Sequence, residues 1–195
     1  MKRNKGFTLV ELLAVIVILA VIALIATPVV LSMIESSRKG AAESSMLSYA
    51  QATENTILTK MMNSTVSVNY DQTYSVTGLT LTSATKGQDG KVTAKKACIV
   101  TATKAEADCT GTNGAPGNDQ SINPEYVAFN IDLKGDQPTA ADGSYISVDD
   151  NTVTEAKLKF GKYYVSYFYD KATGTTKYCS ADDAFVASAS ACNAE

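Results

Sequence analysis

The chain has 195 residues, 45% of them apolar and 19% charged, with a net charge of −3, which is room for one ordinary domain plus an anchor. The acidic balance argues against a general nucleic-acid binder. The absence of His removes the commonest general base and metal ligand, so catalysis is not expected; no P-loop, Gly-rich dinucleotide turn or nucleophile elbow is present either.

The apolar residues are concentrated at the start. Fifteen run without interruption from Leu12 to Ala26, and beyond Thr27-Pro28 the stretch Val29 to Ile34 continues with only Ser32 polar. Such a segment spans a bilayer as a helix. Lys2, Arg3 and Lys5 precede it, which keeps the N-terminus cytoplasmic and sends the remainder outward. One carboxylate, Glu11, stands inside the apolar run, and charges at membrane depth are costly and tend to be kept for function. A secretory signal peptide would explain the basic start, with Val21-Ile22-Ala23 as a poor cleavage site, but the apolar core is too long for one and contains Glu11. A plain signal anchor would leave Glu11 reaching back to the headgroups.

The residues Lys5-Gly6-Phe7-Thr8-Leu9-Val10-Glu11-Leu12 resemble the class III prepilin leader junction of type IV pilins, type IVa-like, with a Gly-Phe cut site and a Glu at the fifth position after it. Pro28, the twenty-second residue after the cut, adds to the resemblance, which covers about Lys2 to Ile34. It implies that a prepilin peptidase/N-methyltransferase cuts between Gly6 and Phe7 and methylates the Phe7 amine. Gly6, without a side chain, suits an extended protease site. Cleavage removes three basic residues, leaving fourteen basic against twenty acidic, a balance of −6 before the new amine is counted. Glu11 is then expected to attract the Phe7 ammonium of a neighbouring subunit, and the segment from Leu19 to Pro28 to lose helicity in the filament. Pro28 is the expected helix break, since proline removes a hydrogen bond and clashes with the carbonyl four residues back.

Past Ile34 the pattern becomes amphipathic. Leu47, Ala50, Ile57, Leu58 and Met61 recur near helical spacing, so one helix is expected from Phe7 to about Met62, roughly 84 Å long at 1.5 Å per residue. Gly40 is a second weak point, costing about 1 kcal/mol relative to Ala. From Asn63 turn residues alternate with short β-prone runs. Strands are expected at 74–82, 97–102, 126–133, 152–160, 163–170 and 175–179, with a loop over 108–124. The clearest hairpin is 162–177, where Tyr163, Val165, Tyr167 and Tyr169 alternate with Tyr164, Ser166 and Phe168 ahead of an Asp170-to-Gly174 turn. One face of that strand should pack on the long helix, and the other should be covered by a loop or a neighbour.

Four cysteines, Cys98, Cys109, Cys179 and Cys192, all lie in the exported part, and an even count in an oxidising compartment suggests two disulfides. Three connectivities are possible; the local pairs Cys98–Cys109 and Cys179–Cys192 are the expectation, each contributing about 3 kcal/mol. Zinc is disfavoured because neither spacing suits a structural site. Asp149-Asp150-Asn151 and Asp182-Asp183 could offer oxygens to calcium, but without Asp-x-Asp-x-Asp-Gly spacing they read as solvated turns; no metal or cofactor is expected. Lys86, Lys91, Lys95, Lys96 and Lys104 form a loose basic stretch without interleaved aromatics, so no nucleic-acid partner is expected.

The expected architecture is therefore α+β, a type IV pilin fold with a long N-terminal helix on an antiparallel sheet. Residues 1–6 form the leader, 7–34 the transmembrane and polymerisation half of the helix, 35–62 its amphipathic half, and 63–195 a β-rich head. The resemblance implies a non-enzymatic pilin that polymerises with itself into an extracellular type IV pilus for adhesion or twitching motility. It would first be a single-pass cytoplasmic-membrane precursor, served by an assembly platform with its ATPase. A pseudopilin of a type II secretion or competence system is the alternative, followed by a non-polymerising anchored binding domain.

Overall fold

The computed structural model describes residues 7–63, 70–89, 91–94 and 127–192. These described residues form one helix, α1 (Leu9–Asn63), and eight strands: β1 (Thr73–Thr77), β2 (Thr80–Lys86), β3 (Val92–Ala94), β4 (Ala128–Asn130), β5 (Tyr145–Asp149), β6 (Thr152–Phe160), β7 (Tyr163–Asp170) and β8 (Thr175–Ala181). The chain divides into two compact units, Met1–Gly40 and Ala41–Glu195, so α1 contributes to both.

In the first unit the helix carries no core. Every side chain from residue 7 to residue 38 is exposed. Pro28 lies within α1, which continues through it as helix; the loss of helicity expected before Pro28 concerns the subunit in a filament. Thr27 donates its hydroxyl to the Ala23 carbonyl at 2.6 Å, and Ser32 to the Val29 carbonyl at 2.9 Å. These hydroxyls are thus satisfied inside the helix, as an apolar environment requires.

The second unit is a helix on a sheet. The strands run β3-β2-β1-β5-β6-β7-β8, with β4 also paired to β2, and all pairs are antiparallel. The helix buries Ala42, Met46, Tyr49, Ala50, Thr53 and Ile57, steps of three and four that define one stripe. Against it stand Tyr74, Val76, Leu81, Ile146, Val148, Val153, Leu158 and Val165, all in one core cluster. Burying each large apolar side chain stabilises the fold by about 1.5–3 kcal/mol. Polar bonds fix the helix on the sheet: the Tyr49 hydroxyl donates to the Gly78 carbonyl at 2.9 Å, the Val153 amide to Glu54 Oε1 at 2.8 Å, and the Ser180 hydroxyl to Glu43 Oε1 at 2.8 Å.

Several sequence expectations need correction. Leu58 and Met61 are not on the buried stripe; they are 47% and 44% exposed, because the stripe passes through Thr53 and Ile57 instead. The run 74–82 is two strands, since Gly78 takes φ 60° and opens a two-residue turn that pairs Thr77 with Thr80. The run 126–133 shortens to β4, flanked by irregular bonds in which Ser83 holds Val127 and the Ile131 amide reaches the Leu79 carbonyl. β5 and β3 were not foreseen. Strands β6 and β7 match their expected bounds, β8 extends to Ala181, and the 162–177 hairpin forms with Asp170 paired to Thr175. The strand expected at 97–102 and the loop at 108–124 lie outside the described residues.

Candidate functional site

The first unit places the one acid of its long apolar stretch at the first turn of α1. Thr8 precedes the helix and Glu11 is its third residue, the positions of a capping box. The Thr8 amide and hydroxyl both donate to Glu11 Oε2 at 2.9 Å, and the Glu11 amide returns a bond to the Thr8 hydroxyl at 3.3 Å. The acid also sits at the positive end of the helix dipole. Glu11 Oε1 makes no hydrogen bond among the described residues, so the carboxylate is half satisfied by its own chain and half open. Thr8 was not singled out from the sequence, although Thr8-x-x-Glu11 ahead of an apolar run carries the capping-box signature.

Around Glu11 the surface is uniformly apolar. Phe7 is 83% exposed, and Leu9, Val10, Leu12 and Leu13 are exposed with it. No other charged residue occurs until Glu35. The helix is long and apolar enough to cross a membrane, with a mean hydropathy of 3.2 over its most apolar window. Glu11 and Pro28 therefore share one helix whose exposed surface up to Ile34 is mostly apolar, with Phe7 two residues ahead of its start, while Gly6 lies outside the described residues.

The remaining candidates lie in the second unit. Cys179 and Cys192 are bonded, with Cα atoms 5.6 Å apart and a sequence separation of 13; Cys98 and Cys109 lie outside the described residues. The bond closes residues 180–191 into a strap over the sheet face that α1 does not cover. The Val186 amide donates to the Ser166 hydroxyl at 3.0 Å, Phe185 meets the Tyr164 ring edge-on at 5.0 Å, and the Lys157 amine donates to the Ala187 carbonyl at 3.5 Å. A loop thus covers the second face of β7.

The acidic pairs considered for calcium do other work. Asp149 pairs with Lys171 at 2.8 Å, Asp150 and Asn151 form the β5–β6 turn at φ 50° and 58°, and Asp182 lies 3.7 Å from Lys162. Among the described residues no group of three or more acids and cysteines is placed to hold a metal. Of the basic stretch, Lys86 pairs with Glu155 and Lys91 stands in the turn before β3; Lys95, Lys96 and Lys104 lie outside the described residues.

Residues 1–27 match the prokaryotic N-terminal methylation motif, the leader of type IV pilins and prepilins. No curated protein and no solved structure matches the chain. The match supports a type IV pilin-like or pseudopilin protein, a structural subunit in kind. Together with the apolar helix it is consistent with a membrane-anchored precursor.

Proposed function

We propose that this chain is a pilin: a precursor cut between Gly6 and Phe7, methylated on the Phe7 amine, and polymerised through α1 into an extracellular type IV pilus. The observation that carries the reading is a lone, half-open carboxylate in a fully exposed apolar helix. That helix needs a cover, and lipid supplies one before assembly while copies of the same helix supply one after it. Lipid offers no partner to Glu11 Oε1. A neighbour's Phe7 ammonium does, and methylation leaves it cationic.

Attraction between those charges is strong in a low-dielectric core, but desolvation offsets much of it. The pair therefore acts chiefly on register and recruitment. The Thr8 donors stay on Oε2, so the neighbour's amine completes the carboxylate without displacing the cap. In this reading residues 1–6 are the removed leader, 7–34 the polymerising helix, and 63–195 the head that faces the surroundings. The assembly platform, its ATPase and the peptidase are the cellular partners, and adhesion or twitching motility is the use of the fibre.

Mass spectrometry of native protein tests the processing: loss of residues 1–6 with gain of one methyl is expected, and an intact Met1 in assembled material overturns it. Assembly is tested with Glu11→Ala, which should remain membrane-bound yet yield few or no fibres by electron microscopy. Normal fibre numbers would sink the role given to Glu11. Micrometre-long surface fibres in the wild type favour a pilus over the short fibre of a secretion or competence pseudopilin.

A further inference from the structure

The sheet face under the strap holds a groove of about 790 Å³ that the pilin reading does not use, a volume in the range of small-ligand sites. Its floor is a row across three strands: Glu155 on β6 is opposite Phe168 on β7, which is opposite Lys177 on β8. Lys86 enters from β2 and pairs with Glu155 at 2.6 Å. The rim carries the hydroxyls of Thr173, Thr175 and Ser188.

The charges in this groove are unequally satisfied. Glu155 accepts from Lys86 and from the Tyr145 hydroxyl. Asp170 is engaged by the Ala172 amide and the Thr173 hydroxyl of its own turn. Lys177 has neither hydrogen bond nor ion pair among the described residues, and it stands beside the partly exposed Phe168 ring. The one charge left open is positive, next to an aromatic face and a hydroxyl-bearing rim. A ligand that fits has a flat apolar face for Phe168, a hydroxyl edge, and one carboxylate for Lys177. A duplex or single-stranded nucleic acid fits poorly, since it needs several free cations along a track.

We infer that this groove binds a carboxylate-bearing saccharide of the uronic acid type, with Phe168 under the sugar ring and Lys177 on the carboxylate. The inference is independent of polymerisation. It is tested by titrating the detergent-solubilised full chain with fluorescently labelled trigalacturonate, its methyl ester, and a short DNA duplex. Trigalacturonate should bind in saturable fashion. The ester, identical in ring but uncharged, should bind roughly tenfold more weakly or worse, the loss expected for one charge-assisted contact.

Lys177→Gln, on the exposed edge strand, should lose affinity by a similar factor with an unchanged melting temperature, and Phe168→Leu should weaken both sugars. Lys171→Gln, outside the groove, should bind as the wild type. Failure of the native chain to bind, equal binding of the ester, or full affinity in Lys177→Gln overturns the site. DNA binding with the same dependence on Lys177 also overturns it, by showing general anion capture. If Lys177→Gln aggregates but keeps its sugar affinity, Lys177 merely guards a sheet edge and the inference fails.

Discussion

Glu155 and Glu11 show one residue type supported by different partners. Burial pushes the Glu155 carboxyl up, but hydrogen bonds from Lys86 and Tyr145 and the charges of Lys86 and Lys157 outweigh it and hold it below the usual carboxylate range. A carboxyl whose folded value is depressed stabilises the fold above its unfolded value, near 4.3, and loses that contribution as pH falls through the folded value. Glu155→Gln should therefore lower the melting temperature at pH 7, and the gap from wild type should close by about pH 3. Thermal melts at the two pH values check this; an equal gap at both would show that Glu155 acts by packing. Lys157 beside it is also shifted down, its amine held low mainly by burial, with Glu155 opposing, so here the shift disfavours the charged form. Glu11 has no lysine beside it among the described residues; its first support is the Thr8 cap. Thr8→Val keeps the shape but removes a cap that contributes about 1 kcal/mol to the helix start. Fibre yield should fall while Thr8→Ser restores it, and equal yields for both variants would detach the cap from assembly.

At the scale of elements, the strap depends on one covalent bond. Between Cys179 and Cys192 its non-covalent hold is two bonds at the buried Ser166 hydroxyl, the Ser180 bond to Glu43, one ring contact, the Lys157 amine and the exposed Lys162–Asp182 pair. Cys192→Ser should cost about 3 kcal/mol by releasing the short loop in the folded chain and freeing the unfolded one, read as a lower denaturation midpoint. Protease cleavage should also become rapid between residues 182 and 191; an unchanged midpoint would mean that the non-covalent contacts suffice. Local signals made much of this architecture legible in advance. The hairpin β7–β8 declared itself through strict alternation and a glycine turn, and the apolar start of α1 through length alone. The elements missed are those whose signals are tertiary. β5 is only five residues long and sits among Gly143, Asp149 and Asp150, so its turn-forming neighbours hid it. The β1–β2 turn was concealed in a continuous β-prone run, where only the backbone angle at Gly78 reveals it. On α1, Leu58 and Met61 fit a helical period, yet the sheet selected the neighbouring stripe through Thr53 and Ile57; Thr53 is buried there because its hydroxyl bonds the Tyr49 carbonyl at 2.9 Å.

For the whole molecule, the decisive fact is how apolar surface is divided. Among the described residues, all of the buried hydrophobic ones fall between Ala42 and Tyr167, whereas the long exposed apolar stretch is confined to Phe7–Ile34. The unit that begins at Ala41 therefore contains its own core, including the half of α1 that the sheet requires. The first unit has no core and gains nothing from folding beyond helix formation and a cover supplied from outside. Stability and assembly are then separable properties. A chain lacking residues 7–34 should be soluble without detergent, form no fibres, and melt within a few degrees of the full chain in micelles. Met46→Ala in the same shortened chain should lose about 2–5 kcal/mol, because Met46 is fully buried and its removal leaves a cavity under the sheet. Calorimetry on the three proteins tests the division. A shortened chain that unfolds far below the full one would mean that the apolar helix supports the head, and Glu11 would then act on stability as well as on assembly.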